Sequence, residues 1–303
     1  MTPLLSIVIA NFNYGRFLED AIRSVLSQSC MEFELIIVDG GSTDNSVEII
    51  KKYEDRLAWW CSEKDHGQSH AFNKGFARAK GRFLTWLNAD DLLCPCVVEE
   101  LARQWRKHQD CEWFTGNFYR FLNETGVICK IGWGGHYYPQ FLQRKNSPIA
   151  VFGPSSFFSR ELLARAGGVD ESFHLMMDSE LWMRFITEGI VQRRLNVFAY
   201  AFRMHESSKT AEFGEHVLSS ETQGRFQDEG RRAQRKNGYV ANSWLYRAFL
   251  LWRLLDGSLV MWLLLDAWYI GRNHGCLYTR NVEFDRGGMT INGQKPSAEI
   301  GEG

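Results

Sequence analysis

The strongest constraint on this chain is a repeat in its first third: a short apolar run, an acidic or amide turn, then a segment of helical spacing. Leu4 to Ala10 is the first apolar run, and it leads into Asn11 and Asn13. Phe17 to Ser27 follows, with Phe17, Ala21, Ile22, Val25 and Leu26 on one helical face. Phe33 to Val38 is the second run and stops at Asp39-Gly40-Gly41; Ser42-Thr43-Asp44 then offer helix-start side chains ahead of Val47, Ile49 and Ile50. Leu57 to Cys61, a helical Gln68 to Ala79, and Phe83 to Leu87 ending at Asn88-Ala89-Asp90-Asp91 complete the series. Alternation of this kind predicts an α/β fold with a mostly parallel sheet flanked by helices. Such sheets bind ligands at the carboxyl ends of their strands, so Asn11, Asp39, Glu63, Asp65, Asp90 and Asp91 are expected along one edge.

The middle third is less regular. Pro95 to His108 and Asp178 to Glu188 have helical spacing, the latter with Leu181, Trp182 and Phe185 apolar. Trp113 to Phe121, Val127 to Ile131 and Val151 to Phe158 read as strands, Gly132 to Tyr138 as a loop, and Arg160 to Ala166 as a short helix closed by Gly167-Gly168. The 303 residues suffice for one large domain with an appendage or for two small domains. A net charge of -1 supplies no basic field for nucleic acid. The seven cysteines include no Cys-x-x-Cys pair, which argues against a disulfide framework or a structural zinc site. No positive residue precedes the first apolar run, so it reads as a core strand rather than a signal peptide, and a cytoplasmic location is expected.

Several acidic groups have chemical and structural readings that the residues alone leave open. Asn88-Ala89-Asp90-Asp91 puts hard oxygen ligands on a tight turn, suited to Mg2+ or Mn2+ held against a diphosphate, or equally an Asx turn at a helix start. Asp39 could accept a ring N–H from a pyrimidine base, or serve the turn before Gly40-Gly41. Asp178 and Glu180 open a helix, where a carboxylate could act as a general base or complement the helix dipole. His205, after Phe202-Arg203-Met204, could meet metal or phosphate or be structural.

The order of these pieces is more informative than any one of them. From Ser6 to Asn13, Ile36 to Asp44, Gln68 to Gly75, Asn88 to Asp91, Val169-Asp170-Glu171 and Asp178 to Trp182, with His205 beyond, the chain closely resembles the family-2 glycosyltransferases of GT-A fold, over roughly Leu4 to Lys209. The resemblance implies an inverting transfer from a UDP- or dTDP-sugar to a hydroxyl acceptor, with a divalent metal ion, Mg2+ or Mn2+. It assigns Asp178 as the base, and Ala10, Asn11, Asn13, Asp39, Asp65, Asn88 and Ala89 to the nucleotide. Asp90 matches the metal-binding aspartate of the family's Asp-x-Asp motif, and His205 falls where a histidine often lies near the diphosphate. Asn88 replaces the first aspartate of that motif and removes one negative charge, so a catalytically inactive sugar-nucleotide-binding subunit stands as the alternative. Glu180 and Trp182 are expected at the acceptor, as are Trp133 and His136 from the irregular middle region. The implied division is a nucleotide-sugar half over 1–100, an acceptor half over 101–210, and a helical extension with a mobile tail over 211–303.

Trp244 to Ile270 is dense in Leu and Trp, but Arg247, Arg253, Asp256 and Asp266 interrupt it, leaving too short a charge-free stretch for the ~20 residues of a membrane span. It reads either as a helix pair packing on the catalytic domain or on a second subunit, or as an interfacial helix. In the second case Arg225, Arg231, Arg232, Arg235 and Lys236 would face anionic lipid on the inner membrane surface. That location would suit a saccharide or lipid-linked acceptor in bacterial surface polysaccharide assembly.

Overall fold

Two apolar faces alternate along the first strands, and the computed structural model fills both. On β1 (Leu5–Asn11), Leu5, Ile7 and Ile9 enter one core and Val8 the other; on β2 (Phe33–Asp39), Leu35 and Ile37 oppose Ile36 and Val38. A strand buried on both faces needs helices on both. Helices α1 (Gly15–Leu26), α2 (Ser46–Lys52) and α4 (Val97–Lys107) cover the first core. Helices α3 (Gln68–Arg78), α5 (Arg160–Ala166), α6 (Met177–Thr187) and α7 (Ser220–Lys236) cover the second. The structure describes residues 2–132, 153–206 and 220–240, a few helical positions between 244 and 255, and three short strands within 277–291.

The sheet runs β3-β2-β1-β4-β8-β6-β7, with β3 at Trp59–Ser62, β4 at Phe83–Asn88, β6 at Trp113–Leu122, β7 at Val127–Gly132 and β8 at Ser156–Ser159. Its β3-β2-β1-β4 half is parallel, as the sequence predicts. Beyond β4 the sheet is mixed: β8 is antiparallel to both β4 and β6. A strand absent from the sequence reading, β9 (Arg193–Met204), runs parallel to β6 and antiparallel to the two-residue β5 (Leu92–Leu93). Two short strands, Val282–Asp285 and Gly288–Ile291, pair in the carboxy-terminal extension, the second of them within the tail expected to be mobile from Gly287 onward.

Register aligns the strand ends. Asn11 pairs with Asp39, Ala10 with Asn88, and Asp39 with Ser62. Sequence-distant polar residues thus finish on one edge. Chain order reverses beside β1, where β2 and β4 lie on opposite sides, and a crevice opens there. In the second core Trp182 stacks on Trp86 (centroids 5.5 Å, 4° between planes) and on Trp113 (5.4 Å), joining α6 to the sheet.

Candidate active site

The loops after β1 and β2 brace each other. Asn13 adopts a left-handed backbone (φ 57°), its N–H donates to Ser42 Oγ at 2.8 Å, and its Oδ1 accepts from Thr43 N–H at 2.8 Å. Asp44 accepts from Gly15 N–H (2.8 Å) and Ser46 N–H (3.0 Å), so one carboxylate serves the starts of α1 and α2, and these bonds lower its pKa. Asp39 lies beneath this lattice, fully buried, and accepts from Asn11 Nδ2 (2.6 Å), the Ser42 hydroxyl (2.5 Å) and N–H (2.9 Å), Gly41 N–H (3.2 Å) and the Ser62 hydroxyl (2.6 Å). Asn11, held by Asp39, keeps its own Oδ1 without a hydrogen-bond partner among the described residues.

The β4 turn is built the same way. Asn88 accepts from Gln68 Nε2 (2.7 Å) and donates to Asp91 (2.8 Å). Asp91 is buried and also accepts from the Tyr200 hydroxyl and from Arg203 N–H (2.7 Å). Burial first, and then the neighbouring Asp90 charge, push its pKa well above the usual carboxylate value. Arg203 closes the turn from behind: its Nε donates to the Asp90 carbonyl (2.7 Å) and its guanidinium pairs with Asp20 (2.9 Å). Asp90 is the more open of the two aspartates, and its Oδ2 lies 3.0 Å from His205 Nε2. The His205 ring is buried and packs 4.4 Å from the Phe17 ring and edge-on to Tyr14.

Across the crevice, Asp178 stands in the first turn of α6. Gly153 is packed so close that an added Cβ would sit 3.1 Å from Asp178 Oδ2. Burial raises the Asp178 pKa against the pull of Ser179 N–H, which donates at 2.6 Å. One cavity of about 860 Å3 joins the two sides, lined among others by Asn11, Asp65, Asp90 and Asp178. At its edge, Asp65 caps Gly67 N–H (2.8 Å) and lies over Gly40, where a Cβ would come within 2.8 Å of Asp65 Oδ2.

Of the residues expected at the nucleotide, Ala10, Asn11, Asp65, Asn88 and Ala89 line this cavity; Asn13 and Asp39 do not and instead hold the loops that form it. Asp90 lines it, with His205 immediately behind. Two expected acceptor contacts are corrected. Trp182 is fully buried in the tryptophan stack, and Glu180, also fully buried, pairs with Arg184 (2.7 Å) and Lys236 (2.8 Å). On a helix Glu180 points ~200° around the axis from Asp178, to the side that meets α7, while Trp182, only ~40° away, sits one turn (~6 Å) deeper and enters the tryptophan stack. Trp133 and His136 lie outside the described residues. The sequence reading also missed Tyr14, Arg120 and Phe226 in the cavity wall. Burial and the charges of Asp90 and Asp91 raise the Tyr14 pKa to about 12. Among the basic residues of α7, Arg232 donates to the Ser172 carbonyl, Arg231 to Asp228 (2.6 Å), and Lys236 to Asp170 (2.5 Å) and Glu180.

The sequence profile described as Glycosyl transferase family 2 matches residues 6–165, more than half of the chain. The chain belongs to this family. Among curated relatives, glycosyltransferase GlyG of Streptococcus pneumoniae is 32% identical over 129 residues, 42% of each chain. The putative teichuronic acid biosynthesis glycosyltransferase TuaG of Bacillus subtilis is 38% identical over 92 residues, 29% of this chain and 36% of that one. The match therefore spans less than half of either relative. Among solved structures, the mannosyltransferase PcManGT from Pyrobaculum calidifontis superposes with a TM-score of 0.53 at 17% identity, covering 85% of this chain and 76% of that one. TarS from S. aureus gives 0.51 at 14% identity, covering 76% of this chain and 43% of that one. The family's GT-A architecture is thus the fold seen here. The metal expected from the sequence is Mg2+ or Mn2+, an ion bound by one or two carboxylates with substrate phosphate oxygens and water. Among the described residues no group of three or more His, Cys, Asp or Glu could hold a metal ion. Asp90 in the cavity wall, with His205 directly behind it, nevertheless fits an ion whose remaining ligands come from a diphosphate.

Proposed function

We propose that the chain is an inverting glycosyltransferase that moves a sugar from a UDP- or dTDP-sugar to a hydroxyl acceptor. The observation that carries this reading is the single cavity shared by Asp178 on one wall and by Asn11, Asp65 and Asp90 on the other. Asp178 takes the acceptor proton as the hydroxyl attacks the anomeric carbon from the face opposite the nucleotide. A single displacement inverts that carbon. A carboxylate whose pKa is raised by burial suits the task, being a stronger base than an exposed one. Asn11 offers its unpartnered Oδ1 to a base N–H, and Asp39 joins it when the Ser42 or Ser62 hydroxyl turns aside. Asp90 and His205 would hold the divalent ion, which supplies charge neutralisation to the departing diphosphate. The complex of the archaeal mannosyltransferase with GDP-Man and Mn2+ supports a nucleotide-sugar donor and a metal. TuaG, named for teichuronic acid biosynthesis, supports a place in bacterial surface polysaccharide assembly, which would suit a saccharide or lipid-linked acceptor.

The competing reading, a sugar-nucleotide-binding subunit without turnover, draws on Asn88, which leaves the motif one charge short. A thermal-shift screen of UDP, dTDP and GDP sugars with and without Mn2+ identifies the donor class, a ligand at 100 times its Kd adding ~2.7 kcal/mol. Nucleoside diphosphate release is then measured with the stabilising donor. Stabilisation with no release under any metal condition would favour the binding subunit; stabilisation by none of the three would remove both readings.

A further inference from the structure

Helix α7 lies beyond residues 6–165, yet it holds the wall that carries Asp178. Residues 174–179 all line the cavity, and the chain enters α6 here with no side-chain cap of its own. The half-buried carboxylate of Glu229 fills that role from outside. It accepts from three consecutive backbone N–H groups: His174 (3.2 Å), Leu175 (2.9 Å) and Met176 (3.0 Å). A negative charge is well placed against these donors at the start of a helix. The same face of α7 presents Phe226 to the cavity, Gly230 to Met176, and buried Ala233 to the second core. Lys236, farther along, pairs with Glu180 one turn inside α6. The two helices are thus fastened at two places on either side of Asp178.

We propose that Glu229 is a positioning residue for the reaction: it fixes the backbone of residues 174–176, and through it the place and direction of the Asp178 carboxylate. This inference rests on the reading of Asp178 as the base. Glu229 is not among the residues that line the cavity, so its loss acts on turnover rather than on donor binding. A base displaced by about 1 Å can cost on the order of 100-fold in rate.

The test uses the full chain as Glu229→Ala, Glu229→Gln and Asp178→Asn. The substrate is whichever of UDP-glucose, UDP-N-acetylglucosamine, dTDP-glucose or GDP-mannose stabilises the wild type most. In Glu229→Ala, amide hydrogen exchange at 174–176 is expected to rise at least ~10-fold as the three N–H groups lose their acceptor. Turnover is expected to fall roughly 10- to 100-fold with donor KM within about twofold. Glu229→Gln keeps a carbonyl acceptor in place and should recover most of both losses. Wild-type exchange or wild-type turnover in Glu229→Ala overturns the proposal, as does a joint loss of turnover, donor affinity and melting temperature that Gln does not rescue. Failure of the underlying reading shows separately, as wild-type turnover in Asp178→Asn; failure of this inference alone shows as an inactive Asp178→Asn beside a fully active Glu229→Ala.

Discussion

At the scale of single residues, the acidic side chains of this chain divide by what surrounds them. Asp39 and Asp91 are buried and saturated with donors, although Asp91 also borders the cavity; Asp90 and Asp178 line it and are less buried. The saturated pair builds the site and the open pair is available for chemistry. If Asp178 is the base, Asp178→Asn should lower turnover ~100-fold or more, the usual weight of a general base, with donor affinity unchanged. Because burial raises its pKa above 3.8, kcat should climb with pH as the proton leaves, through a midpoint above that of a free aspartate. Turnover independent of pH over that limb, in the wild type, would remove Asp178 from the role. Asn88 gives a second prediction. Its amide donates to Asp91 and, at 3.0 Å, to the Tyr200 oxygen, so Asn88→Asp puts an acceptor where a donor is needed. Metal-free protein should lose about 1–3 kcal/mol, the cost of an unsatisfied buried polar group. Mn2+ with nucleoside diphosphate should return part of it, and calorimetry with and without the ion reads both. An unchanged melting temperature without metal would show that residue 88 does not govern this turn.

At the scale of elements, β9 closes the site although no motif marks it. Tyr200 and Arg203 project from it onto the β4 turn, and it reaches His205 at its end. Its signal was present: Leu195, Val197, Ala199 and Ala201 alternate with Phe198, Tyr200 and Phe202. Tyr200→Phe removes a donor from buried Asp91 and should cost about 1–3 kcal/mol. The pH dependence follows in sign. The folded-state pKa of Asp91 is raised, so its favourable contribution is full below about 3.8 and is lost as pH rises through the folded value. The Tyr200 bond lowers that pKa; without it the decline should extend to higher pH, which urea titrations across pH can follow. Glycine 75 shows the same closeness between layers: a Cβ there would meet Val8 Cγ1 at 2.3 Å, so the motif glycine lets α3 approach β1.

At the scale of the whole molecule, the two sides of the cavity share β4. Trp86 on that strand stacks on Trp182 of α6, while Asn88 at its end opens the motif that carries Asp90. Trp182→Ala is therefore expected to cost about 3–5 kcal/mol, a large share of the ~5–15 kcal/mol that holds a domain together. Nucleotide affinity and melting temperature should fall together. Retention of wild-type stability would show that the tryptophan stack does not join the two sides.

The parallel half of the fold and its polar edge were legible because a strand covered on both faces must be almost wholly apolar, and its first polar residue marks its end. In-register parallel pairing then brings Asn11, Asp39 and Asn88 together however far apart they lie in the chain. Side-chain direction was not legible. Asp178, Glu180 and Trp182 are near neighbours in sequence, but Glu180 turns to the opposite side of α6, and Trp182, on nearly the same side as Asp178, lies one turn beyond the cavity in the core. The capture of that helix by α7 was equally hidden, since Glu229 bonds to backbone groups, and backbone groups carry no letter in a sequence. Local pattern determines where strands end; only packing decides which side chains face the resulting space.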